Sequence, residues 1–63
     1  MARLRLTANA FVRAAPHAAA APLGFVRKSG VLAYGGRTTP DGWHAVDWHG
    51  ITGWVSGKLA AVE

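Results

Sequence analysis

Pro16 and Pro22 enclose an alanine-rich stretch, "AAPHAAAAP" at residues 14–22, in a chain with nine alanines before residue 22. So much alanine would ordinarily signal a helix. Proline, however, lacks a backbone donor and disfavours helix for the residue before it. The four alanines left between the two prolines are too few to sustain a helix. The stretch reads as an exposed loop, and no helical period appears elsewhere. What order the chain has must come from strands.

Strand signals recur in short pieces. "RLRLT" alternates from Arg3 to Thr7 and puts Leu4 and Leu6 on one face. "AFVRA", "LGFVRK", "VLAYGG", "GWHAVDW" and "ITGWVS" follow, separated by Gly, Pro, Asn, Asp and Ser. "SG" at 29–30 marks a turn, and "TTPDG" at 38–42 sets Pro, Asp and Gly in the order a β-turn prefers. "HG" at 49–50 suits the two central residues of a tight hairpin, Gly50 meeting the positive-φ demand and His49 less comfortably. The expectation is an all-β fold of five to six short antiparallel strands, a small barrel or sandwich.

Sixty-three residues make one domain, 1–63, and a small one. Such a chain buries only about 60% of the surface its unfolded form exposes. With no cysteine, neither a disulfide nor a zinc–thiolate site can reinforce it. Closing the sheet would help, and so would a homo-oligomer. The opening "MARLRLTANAFVRAAPHAAAAP" imitates a secretory signal, but Thr7, Asn9 and Arg13 interrupt its apolar stretch. Removing it would leave about 40 residues, too few to fold alone, so it reads as part of the fold. No run approaches the roughly 18 apolar residues of a membrane span.

The net charge is +4, and no acid precedes Asp41. Such a balance suits anionic partners, although only Arg27 and Lys28 are adjacent. They form the candidate basic surface. Nucleic acid is disfavoured, because the basic charge is dispersed and few aromatics are free for stacking. His44, Asp47 and His49 are the one close titratable cluster, yet strict alternation sends 44 and 49 to opposite faces. No metal or other cofactor is expected. Ser56 lacks a nucleophile elbow and "YGGRTT" lacks the spacing of a phosphate loop, so no enzyme activity is expected either.

The run "NAFVRAAP", then "LGFVRKSGVLAYGG", then "DGWHAVDWHGITGWVSGKL" resembles the bacterial SH3-like domain over about residues 6–60. The matching elements are Val12-Arg13 with Pro16, Leu23-Gly24, Gly30 to Tyr34, Gly42-Trp43 with Val46, Gly53-Trp54-Val55 and Lys58-Leu59. The late "GW…GWV" with "K-x-L" is the specific part. Departures are Ala15 where a glycine is usual, Phe11 before Val12, and a tryptophan at position 48. The resemblance implies a small SH3-like barrel, with a core of Val12, Leu23, Trp43, Val46, Trp54, Val55 and Leu59. Each buried tryptophan would contribute about 150–250 Å². Strict alternation sets Trp43 and Val46 on opposite faces, so a bulge between them would be needed for both to be core.

By the same resemblance, the expected function is a non-catalytic module that recognises peptidoglycan peptides of the bacterial cell wall. Tyr34, Arg37, His44, Trp48 and His49 form the candidate ligand set, since exposed aromatics with arginine make a binding hot spot. The alternative for Tyr34 and Trp48 is that they close the barrel ends. The alternative function is a structural or assembly protein, a homo-oligomer or part of a larger particle such as a phage virion, using the barrel for protein–protein contact. A starting methionine and the lack of an attached enzyme suit that second function.

Overall fold

The computed structural model describes residues 2–63; Met1 lies outside them. Among the described residues there are seven strands: β1 Arg3–Leu6, β2 Ala10–Arg13, β3 Pro22–Val26, β4 Val31–Thr38, β5 Trp43–Trp48, β6 Ile51–Ser56 and β7 Ala60–Val62. All pair antiparallel in one open sheet of order β3-β2-β6-β5-β4-β1-β7. The all-β expectation holds, with seven strands in place of five or six. The unexpected one is β7, whose three residues are too few to show alternation. It is fixed by pairing Leu6↔Ala60 and Leu4↔Val62.

The turns form where their residues allow. Trp48 pairs with Ile51, leaving His49 and Gly50 as a two-residue loop. Both have positive φ, 51° and 88°, as a type I′ hairpin requires. In "TTPDG" the Gly42 N–H donates to the Thr39 carbonyl at 2.9 Å, closing a turn around Pro40 and Asp41.

Six inter-strand steps of about 4.8 Å would make a flat sheet roughly 29 Å wide, yet the longest extent of the molecule is 25 Å. The sheet is curled, and its inner face holds one core. Leu4, Leu6, Ala10, Val12, Val46, Val55 and Ala60 are buried there, with Val26, Leu32, Tyr34, Trp48 and Leu59 packed against them. Every strand contributes. The corner lies in β4: Val31, Leu32 and Ala33 pair with β1, whereas Tyr34 and Thr38 pair with β5. Between Tyr34 and Thr38 the register shifts, and Gly36 takes a φ of 83° that side chains rarely adopt. A bulge of this kind bends the strand and lets it serve both halves.

Three core expectations need correction. Leu23 is 36% exposed, because Gly24 beside it takes the inward position and alternation turns Leu23 out. Trp43 and Trp54 are half-buried and stand outside the core cluster. The β5–β6 ladder runs without a bulge from Trp43↔Ser56 to Trp48↔Ile51. With Val46 and Val55 inward, Trp43 and Trp54 must point outward. Their place inside is taken by Trp48. Its indole lies against Gly24, and its Cβ lies by Gly53. Val12, Val46, Val55 and Leu59 are in the core layer as expected.

One ion pair ties β1 to the residue after β7: Arg5 Nε donates to Glu63 Oε2 at 2.7 Å. That hydrogen bond, helped by the charges of Arg5 and Arg3, holds the Glu63 carboxyl below the usual carboxylate range despite some desolvation. A lowered folded-state pKa adds stability above the unfolded value, which is lost as pH falls through the folded one. Both partners are exposed, so the effect is small. Acid titration of the thermal midpoint should show a slightly steeper loss below pH 5 for the native chain than for Glu63→Gln. Identical acid slopes would mean the pair contributes nothing.

Candidate ligand cleft on the outer sheet face

The five residues of the expected ligand set fall into three places. Tyr34 and His44 lie together, their rings edge-to-face with centroids 5.8 Å apart. Thr38 Oγ1 joins them, 2.7 Å from Tyr34 Oη and 2.8 Å from His44 Nδ1. Trp48 and His49 pack edge-to-face at 4.6 Å at the other end of β5. Arg37 stands on the outer face, its guanidinium 5.7 Å from the Trp54 ring centroid. Tyr34 and Trp48 are spent on the core, and the set does not form one surface. Arg27 and Lys28 are exposed at the β3–β4 turn, where Asn9 Oδ1 accepts the Lys28 N–H at 2.8 Å.

A different site is built on the outer face. β2 and β6 share a single register pair, Arg13↔Trp54. Beyond it the two strands part, and a cleft of about 270 Å³ opens between Phe11 on β2 and Ser56 on β6. Arg13, Trp43, Ala18 and Asn9 complete the walls, and Ala10 and Leu59 bring the core layer to the cleft. Alternation along β2 explains the composition: with Ala10 and Val12 inward, Phe11 and Arg13 face out.

Phe11 is 47% exposed and meets Phe25 of β3, itself 50% exposed, in an edge-to-face pair with centroids 5.2 Å apart. The Arg13 guanidinium lies 5.4 Å from the Phe11 centroid, and its Nη1 donates to the Ala20 carbonyl at 2.8 Å. Arginine over an aromatic face, anchored by one hydrogen bond, is a pre-oriented donor. No acid lines the cleft. Among the described residues, no three His, Asp or Glu side chains gather to hold a metal.

No family model, curated protein or solved structure matches this chain. The site therefore stands on its geometry. It offers two aromatic side chains, an arginine and a hydroxyl around a shallow apolar recess, which is equipment for binding. Ser56 Oγ accepts the Lys58 N–H at 3.3 Å, and no histidine or carboxylate among the lining residues is placed to activate it. Phe11 and Arg13 stand outside the ligand set expected from the sequence. The available signal was their i, i+2 spacing about Val12, which sends both to the face opposite the core.

Proposed function

We propose that this chain is a non-catalytic binding module with the architecture of a bacterial SH3-like barrel, and that it recognises short peptides of the bacterial cell wall. The observation that carries the binding role is the acid-free cleft of Phe11, Arg13 and Trp43 where β2 and β6 part. Support for the barrel comes from one core fed by all seven strands, a long bent β4 and the late "GW…GWV" pattern. The wall as target rests on the sequence resemblance and the +4 charge, which favours an anionic polymer surface.

Retention on purified peptidoglycan sacculi tests it. The protein should co-sediment at 50 mM salt and remain largely bound at 500 mM, because aromatic contact is not screened as charge is. No sedimentation with sacculi of several wall types would end the wall reading. Binding to oligonucleotides with a steep salt dependence would put a nucleic-acid partner in its place.

A second reading has its own observation. β3 is an outermost strand whose Leu23 and Phe25 are exposed. Such an edge is a template for pairing with another chain, so assembly into a homo-oligomer or larger particle is the alternative. The particle mass in solution separates the two.

A further inference from the structure

We infer that the cleft recognises the free α-carboxylate end of a peptide, with Arg13 as the group that pairs with it. The inference rests on the reading of this cleft as a peptide site and names the part of the peptide it takes. Three observations converge on it.

Arg13 is half-buried, and only Nη1 has a hydrogen-bond partner among the described residues. A guanidinium presents five donors in a rigid fork that fits a carboxylate bidentately. The bond to Ala20 and the Phe11 face fix the fork's plane and leave Nε and Nη2 uncommitted. The ion pair Arg5–Glu63 shows what an arginine in this chain does when a carboxylate is near; Arg13 has none.

Among the described residues, Arg13 is the one charged side chain that lines the cleft. Asp41 is the nearest acid along the chain to Trp43, but it is exposed on the preceding turn and does not line the cleft. The recess itself is apolar at Phe11, Ala18, Trp43 and Leu59. Its occupant is therefore an apolar or small residue that carries a negative charge.

Size selects a chain end over a longer segment. About 270 Å³ lies just under the roughly 300–1,000 Å³ of pockets that take drug-sized ligands, enough for one or two small residues. A terminal small residue presents its side chain and its carboxylate from a single α-carbon, which matches a recess with one cation at its wall.

Chemical-shift titration of the intact chain with acetyl-alanyl-alanine, its C-terminal amide and acetyl-alanyl-aspartic acid α-amide, whose only carboxylate is on the side chain, decides the matter. The free acid should bind at least about tenfold more tightly than the amide, with the largest shifts at Phe11, Arg13 and the Trp43 indole N–H. In Arg13→Gln the acid–amide ratio should fall below about twofold, with Arg13→Lys between. The comparison on the native chain needs no variant, so a poorly folded Arg13→Gln leaves the test intact. Equal affinity for acid and amide would overturn the inference, and so would a preference that survives in folded Arg13→Gln. Tighter binding of the aspartic acid α-amide would move the charge to a side chain and overturn the chain-end assignment. Sacculus binding without acid preference would remove this inference and leave the wall reading standing. Acid preference without sacculus binding would do the reverse.

Discussion

Gly24→Ala is expected to lower the thermal midpoint by about 10–20 °C, although it adds one methyl group to an outer strand. The new Cβ would overlap Trp48 Cζ2 and lie 2.8 and 2.9 Å from Cη2 and Cε2 of the same ring. Trp48 is packed against the core cluster, so moving the indole aside would disturb that packing. Overpacking of this kind costs about 1–3 kcal/mol. In a domain of this size each kcal/mol is worth roughly 4–8 °C, against a total stability of only about 3–9 kcal/mol. Combining Gly24→Ala with Trp48→Phe should recover part of the loss, since phenylalanine lacks the ring atoms in conflict. A coupling of at least about 1 kcal/mol is expected in that double-mutant cycle. Strict additivity by thermal or urea unfolding would show that Gly24 does not make room for the indole. Gly36, Gly42 and Gly50 provide the contrast: open space surrounds each, so their alanine variants are strained by positive φ alone.

The same tryptophan shows how far the sequence could be read. Periodicity and turn residues located six of the seven strands and the His49-Gly50 hairpin, because both signals are local. The roles of the tryptophans were not local. Alternation already set Trp43 against Val46, and only pairing with β6 shows that no bulge intervenes and that Val46 holds the inner face. The glycines carry the missing information: Gly24 makes room for the Trp48 indole and Gly53 for the Val12 side chain, and both roles appear only once β3, β2, β6 and β5 are neighbours. The cleft between β2 and β6 is hidden in the sequence for a related reason. Phe11 and Arg13 could be sent outward from their spacing about Val12, but the parting of β2 from β6 is a matter of pairing that no residue in either strand announces.

The reversal of the tryptophans changes which variant tests binding. Trp43→Ala should weaken peptide or sacculus binding by at least about 30-fold, the loss of roughly 2 kcal/mol that marks an aromatic hot spot. Its thermal midpoint should shift little beside that of Trp48→Ala, because Trp43 is half-buried outside the core cluster. Trp48→Ala will also abolish binding, but through the fold: removing a large aromatic from a core costs about 3–5 kcal/mol, comparable with the whole stability of the domain. Near-UV circular dichroism separates the two, with tertiary signal kept in the first and lost in the second. Phe11→Ala should resemble Trp43→Ala, since Phe11 lines the same cleft and is 47% exposed. If Trp43→Ala binds normally while Trp54→Ala does not, the ligand lies instead over the Arg37–Trp54 stack. That result would move the site toward β4 along the same outer face and leave Arg13 as an anchor for Ala20 alone.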